Sequence, residues 1–140
     1  MQIHPVLLRN LLIGLGSVMK AALVGVGNIG RAMLAYPGFK TEGFELALAF
    51  DKDPGKVGRK ADGVVIEDVT DLEQRIRDEG IKLAIIAVPV SEAPKVAQRL
   101  ADAGIKAILS FAPCPLNMPE DVKITCVDLA TEMARLVYYL

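Results

Sequence analysis

The chain lacks several of the residues on which common kinds of functional site depend. Its 140 residues include no tryptophan, two cysteines and one histidine. Cys114 and Cys126 have no C-x-x-C spacing, and with His4 as the only imidazole the chain has too few ligands for a zinc site. Without a secretory context we expect both cysteines to be thiols and not a disulfide.

Strong net charge and long apolar runs are also missing. The net charge is −1, which argues against this chain gripping nucleic acid by itself. The longest uncharged apolar run, residues 83–90, is too short to span a bilayer, so we expect no membrane segment and a cytoplasmic protein. Hydrophobic residues make up 52% of the chain, which predicts one globular domain with a buried core.

A glycine motif is the most informative feature that is present. Residues 21–34 read AALVGVGNIGRAML, which is a strand-like run, then G-x-G-x-x-G, then a helical pattern. In this motif Gly25 permits the turn, Gly27 lets a pyrophosphate approach the backbone, and Gly30 allows close helix packing. The N–H groups that open the helix, at Asn28 and Ile29, would add an anion site.

An acidic residue follows at the distance that this motif requires. Asp51 ends a second apolar strand roughly 20 residues after Gly30, where an acid binds the adenosine ribose. The alternative is that Asp51 only begins a turn. A ribose-binding carboxylate predicts NAD in preference to NADP, although the neighbouring Lys52 leaves that choice open.

The remaining pattern alternates strands and helices, which predicts an α/β doubly wound parallel sheet, the Rossmann fold. We divide the chain into an N-terminal helical segment (1–19), the Rossmann domain (20–127) and a C-terminal helix (128–140). We expect a capping box from Thr70 to Glu73, a helix cap at Ser91 and another at Asp128. The apolar side of the last helix either packs on its own sheet or is exchanged between subunits.

Several further stretches resemble one family. They are VGVGNIG (24–30), YPGF (36–39), FDKDPGKVG (50–58), VP (88–89), GIKAILSF followed by AP (104–113) and VDL (127–129). In this order they are similar to the nucleotide-binding domain of the Rex family of redox-sensing repressors. Ser110 departs from that family's usual asparagine, and the first 19 residues are too few for its winged-helix DNA-binding domain.

The resemblance implies a set of roles for particular residues. It implies an NAD(H) cofactor, a homodimer that exchanges its last helix, and a switch contact between Tyr36 and Asp128 of two subunits. It also implies a partnership with a full-length repressor or a separate DNA-binding subunit. The residues that would bind the cofactor are Gly25, Val26, Gly27, Asn28, Ile29, Gly30, Asp51, Lys52, Val88, Pro89, Ala112 and Pro113.

Two other functions remain open on the sequence alone. One is a module of the same fold that binds coenzyme A or another nucleotide. The other is a small NAD-dependent oxidoreductase completed by a partner, although we expect no enzyme because no histidine falls within the predicted fold.

Overall fold

A seven-stranded sheet organises the protein. The computed structural model describes residues 18–113 and 118–140, and the predictions for residues 1–17 and for Cys114 lie outside them. Within the described residues the strand order is β3-β4-β2-β1-β5-β6-β7, and every pair except β3 with β4 is parallel. The strands are β1 (Met19–Val24), β2 (Phe44–Asp51), β3 (Lys60–Ala61), β4 (Val64–Asp68), β5 (Leu83–Ile86), β6 (Ala107–Ser110) and β7 (Lys123–Cys126).

The helices connect these strands. They are α1 (Asn28–Ala35), α2 (Gly38–Thr41), α3 (Leu72–Glu79), which follows a 3₁₀ turn at Val69–Asp71, α4 (Ala93–Asp102) and α5 (Leu129–Val137). Apart from β3, which forms a short antiparallel edge that the sequence did not predict, the order is that of a doubly wound sheet. The predicted fold is therefore confirmed.

Both faces of the sheet carry apolar clusters, because alternate residues of a strand point to opposite faces. Ala22 and Val24 of β1 belong to the larger cluster, which α3 and α4 cover with Leu72, Ile76, Val96 and Leu100. Leu23 belongs to the smaller cluster on the other face, where Leu34 and Phe39 are partly buried. Central strands buried on both faces explain the continuous apolar runs in the sequence.

Two predicted helix caps are wrong. Thr70 lies within the 3₁₀ turn, where its N–H donates to the Asp68 carboxylate at 2.9 Å, and no side chain caps the start of α3 after Asp71. At α4 the capping position is Glu92, one residue after Ser91, and no side chain caps this end. Each helix begins one residue later than predicted, after Asp71 and after Glu92, because local spacing defines a helix start only to within one or two residues.

The Asp128 cap is confirmed, because its carboxylate accepts the N–H groups of Ala130 and Thr131 at 3.1 and 3.2 Å. The expectation of a thiol at Cys126 is wrong, since this residue is disulfide-bonded. Sequence spacing could not show this, because a disulfide requires two cysteines to meet in space and not along the chain.

Candidate functional site

A cleft of about 920 Å³ opens at the carboxyl ends of β1, β2 and β5. The strand order reverses between β1 and β5, and this reversal is where open α/β sheets bind their ligands. The chain crosses from one side of the sheet to the other here, which leaves a crevice between the loops. The residues that line it are Val24, Gly25, Gly27, Asp51, Lys52, Asp53, Pro54, Lys56, Val69, Ala87, Val88, Pro89, Ser91, Glu92, Lys95, Val96 and Arg99.

Glycine is present at the three motif positions for different structural reasons. Gly25 has φ of +98°, and a Cβ there would lie 2.5 Å from the carbonyl oxygen of Ala87 on the neighbouring strand end. A Cβ on Gly30 would overlap the carbonyl oxygen of Gly25, so α1 can approach the turn only without one. Gly27 differs, because a Cβ there would meet nothing within 4 Å. Gly25 and Gly30 are required by the protein itself, whereas Gly27 keeps space free in the cleft.

Asp51 is tied to the glycine turn. Its Oδ2 accepts the backbone N–H of Val26 at 2.8 Å, and its Oδ1 accepts the N–H of Asp53 at 2.9 Å. The Lys56 ammonium lies 3.9 Å from Oδ2, and the Asp51 side chain is only 12% exposed. The carboxylate is thus held in one orientation at the edge of the cleft, and each oxygen keeps a lone pair for a ligand hydroxyl.

Two ion pairs connect the elements that surround the cleft. The Arg99 guanidinium binds Glu73 through two bonds, of 2.9 and 2.6 Å, and also donates to the Val69 carbonyl at 2.7 Å. The hydrogen bond from Arg99 lowers the pKa of the Glu73 carboxyl, and the same contact raises the pKa of Arg99. Lys52 lies 2.5 Å from Glu92, so this pair joins the end of β2 to the start of α4.

The predicted cofactor residues divide into those on the cleft and those away from its lining. Gly25, Gly27, Asp51, Lys52, Val88 and Pro89 line the cleft. Val26 is fully buried and contributes its N–H to Asp51, while Asn28 and Ile29 are exposed at the start of α1. Ala112 is buried and Pro113 exposed, and neither lines the cleft within the described residues.

Ser110 explains the shape of the segment that precedes Pro113. Its side chain is completely buried and its hydroxyl accepts the N–H of Ala112 at 3.1 Å. The hydroxyl therefore holds the turn that leaves β6, and a buried polar group needs such a partner.

Sequence reasoning missed the residues on the far wall of the cleft. Lys56, Val69, Glu92, Lys95 and Arg99 line it, yet they belong to three separate segments of the chain. To find them, one would have to know which side of each helix faces the cleft. The sequence alone carries no such signal, because charged residues on helices usually face water.

Other kinds of site receive no support from the described residues. Across residues 18–113 and 118–140 no three His, Cys, Asp or Glu side chains group as metal ligands would. In the same part of the chain no helix has the length and apolar content needed to cross a bilayer.

The sheet order and the glycine turn at its switch point define a Rossmann-type domain. The chain belongs to the CoA-binding domain family, whose sequence profile, described as "CoA binding domain", matches residues 17–114.

Curated relatives make the likeness more specific. The redox-sensing transcriptional repressor Rex of Chloroflexus aurantiacus is 43% identical over 129 residues, which are 92% of this chain and 61% of the relative. The Rex protein of Rhodopirellula baltica is 44% identical over 126 residues, 90% of this chain and 53% of the relative. The predicted resemblance to the Rex family is confirmed, and the chain spans between about half and three fifths of these relatives.

A solved structure agrees. RSP, a Rex-family repressor crystallised with β-NADH, is 34% identical with a TM-score of 0.84, over 93% of this chain and 63% of RSP. RSP has also been crystallised with β-NAD⁺ and operator DNA. Several dehydrogenases share the fold at 18–21% identity, and that likeness concerns the fold alone.

Proposed function

We propose that this chain is an NAD(H)-binding, redox-sensing regulatory domain without catalytic activity. The observation that carries the proposal is the fixed Asp51 carboxylate, hydrogen-bonded at 2.8 Å to the glycine turn at the edge of the cleft. We assign the ribose hydroxyls to this acceptor and the pyrophosphate to the open space beside it at Gly27, where a Cβ would meet nothing within 4 Å. The Rex relatives, among them RSP with NADH, support the same ligand.

Calorimetric titration of the purified chain with NADH, NAD⁺, NADPH and coenzyme A tests this function. We expect both dinucleotides to bind, and NADH to bind more tightly than NADPH. Failure of NADH and NAD⁺ to bind, with coenzyme A binding instead, would reject the proposal.

Coenzyme A is the second candidate, because the matching family is described by that ligand. It also has an adenosine pyrophosphate, so the glycine turn suits it equally. Its ribose, however, has a phosphate at the 3′ position, and Asp51 would repel that charge. The structure of the site therefore favours a dinucleotide whose adenosine ribose has two free hydroxyls.

The third candidate function is that of an oxidoreductase completed by a partner. The cleft contains carboxylates and cations, and Glu73 with Arg99 and Lys52 with Glu92 are already paired with each other. A dehydrogenase needs a positioned proton donor or acceptor near the nicotinamide. Steady turnover of NADH with a small carbonyl substrate would support this function over the regulatory one.

We propose a homodimer formed through α5. Its apolar side chains do not pack on the sheet: Leu129, Met133, Leu136 and Val137 are 62–67% exposed. A helix whose apolar side chains are exposed in this way is typical of an interaction surface. The exposed side chains favour exchange between subunits over the alternative in which α5 packs on its own sheet.

The proposed switch contact joins Tyr36 of one subunit to Asp128 of another. Tyr36 is 53% exposed at the end of α1, and its ring contacts Phe39 edge-on at 5.0 Å. The Thr131 hydroxyl donates to Asp128 at 2.9 Å and lowers the pKa of this carboxyl. Asp128 is therefore an anion that can accept a hydrogen bond from the tyrosine hydroxyl. If NADH binding changes the structure of the Tyr36→Phe dimer as it does that of the unmodified dimer, this role is rejected.

We expect these 140 residues alone not to bind nucleic acid, because their net charge is −1. The regulatory output would pass to a full-length repressor or a separate DNA-binding subunit in the cytoplasm. A sequence-specific, salt-sensitive gel shift with the isolated chain would contradict this prediction.

A further inference from the structure

One ion pair joins the two sides of the cleft next to the predicted ribose site. Lys52 directly follows Asp51 at the end of β2, and Glu92 lies immediately before α4. The Lys52 Nζ and Glu92 Oε1 atoms are 2.5 Å apart, and both residues line the cleft. The contact therefore connects the two loops between which a dinucleotide would lie.

The other cations of the cleft are differently engaged. Lys56 lies 3.9 Å from the Asp51 carboxylate, and Arg99 is bound by Glu73 at 2.6 Å. Among the residues that the structure describes, Lys95 is the cation of the cleft without an ion pair. Lys52 is the cation adjacent in sequence to Asp51, and a cation at this point of a Rossmann domain attracts a 2′-phosphate.

We propose that Glu92 determines the preference for a dinucleotide without a 2′-phosphate by neutralising Lys52. This inference rests on the proposed function. With the pair intact, a 2′-phosphate meets the carboxylates of Asp51 and Glu92, and the charge of Lys52 is balanced. Without the Glu92 carboxylate, the Lys52 ammonium is free to bind the phosphate.

Because the Lys52–Glu92 pair is exposed, we expect it to affect cofactor specificity and to contribute little to stability. The Lys52 side chain is 70% exposed and that of Glu92 30%, and exposed ion pairs contribute little to folding. The hydrogen bond to Glu92 raises the pKa of Lys52, with a smaller contribution from Asp51. The lysine therefore carries a full positive charge that interacts with both carboxylates. Because the pair is exposed, removal of the Glu92 charge should leave the fold intact.

Glu92→Gln tests the inference because it removes the charge and keeps the shape. We expect the ratio of the NADPH and NADH dissociation constants to fall roughly tenfold, mainly through tighter NADPH binding. In the double variant Glu92→Gln with Lys52→Gln, the freed cation is gone, and the gain in NADPH affinity should disappear. Calorimetry on the full chain measures both ligands.

Asp121→Asn is the matched control. Lys106 and Asp121 form an ion pair of 2.6 Å whose side chains are 54% and 63% exposed, and neither lines the cleft. Breaking this pair removes one surface carboxylate and frees one lysine, as Glu92→Gln does. We expect the NADPH to NADH ratio of this variant to equal that of the unmodified chain.

Each outcome bears on the inference. If Glu92→Gln leaves the ratio unchanged while the unmodified chain still prefers NADH, the inference is overturned and the proposed function stands. If the gain in NADPH affinity persists in the double variant, Glu92 does not act through Lys52, and the inference is again overturned. If the unmodified chain binds neither dinucleotide, the proposed function fails and the inference fails with it.

Discussion

The backbone N–H of Val26 donates a 2.8 Å hydrogen bond to Oδ2 of Asp51, two residues separated by 25 positions in the sequence. This bond connects the glycine turn after β1 to the end of β2. Asp51 therefore has a structural role in shaping the turn in addition to the proposed contact with the ribose. A test of the ribose contact must separate the two roles.

Asp51→Ala should lower both stability and affinity. The N–H groups of Val26 and Asp53 lose their acceptor, and leaving the partly buried Val26 donor unsatisfied costs about 1–3 kcal/mol of unfolding free energy. Urea unfolding followed by circular dichroism measures this loss, since the chain has no tryptophan to report it. We expect NADH binding to weaken at least roughly tenfold by calorimetry.

Asp51→Asn separates charge from structure. It keeps one oxygen acceptor at this position but removes the negative charge that repels a 2′-phosphate. We expect a smaller loss of stability than in Asp51→Ala and a narrower preference for NADH over NADPH. An unchanged preference would show that the carboxylate charge does not select the cofactor.

Gly27→Val and Gly30→Val form a matched pair. A side chain at Gly27 points into open space, so the protein should fold with a stability change below about 1 kcal/mol yet lose NADH binding. A side chain at Gly30 overlaps the Gly25 carbonyl and should destabilise the fold by about 1–3 kcal/mol or more. Thermal unfolding and calorimetry on both variants check the contrast, and normal NADH binding by Gly27→Val would contradict it.

Glu73 should contribute pH-dependent stability through Arg99. The folded-state pKa of Glu73 lies below its ordinary value of 4.5, so its contribution is present above that pH and is lost as pH falls through the folded pKa. Both side chains are about a third exposed, so we expect a modest difference of about 1 kcal/mol between the unmodified chain and Glu73→Gln at pH 7. Urea unfolding should show that this difference shrinks below pH 4.5.

Asp121→Asn is the control for this pair as well, because its partner Lys106 lies on the open surface. It should leave stability at pH 7 nearly unchanged. A loss as large as that of Glu73→Gln would mean that the α3–α4 pair has no special role in the cleft wall.

The double variant Met133→Asp with Leu136→Asp should produce a monomer. Both side chains are more than 60% exposed on the single chain, so two carboxylates there leave its core intact but oppose burial against a second copy. Sedimentation at micromolar concentration should show a dimer for the unmodified chain and a monomer for the variant. The melting temperature of the unmodified chain should also rise with concentration, as mass action requires.

A monomeric unmodified chain would contradict the exchange of α5. Glu132→Gln, an exposed change on the same helix that adds no charge to the apolar side, is the control and should remain dimeric.

Much of the fold was predictable from residue order. The glycine turn, the strand that ends at Asp51, the apolar β5 and the helix that buries Leu72 and Ile76 all depend on local patterns of size and hydrophobicity. The short β3 was not predicted, because two residues with no apolar alternation carry no strand signal until β4 offers them hydrogen bonds. The caps predicted at Thr70 and Ser91 failed because α3 and α4 begin one residue later, and no side chain caps either start.

The sequence by itself determined the doubly wound sheet, the glycine turn and the acid that follows it, because each depends on residues that are close along the chain. Only the tertiary structure decided that Lys52 meets Glu92, that Arg99 forms a wall with Glu73, and that Cys126 is in a disulfide. The two ion pairs depend on how the helices pack on the sheet. Lys52 and Glu92, like Arg99 and Glu73, lie far apart in sequence and meet only when burial of the apolar core fixes the positions of α3 and α4.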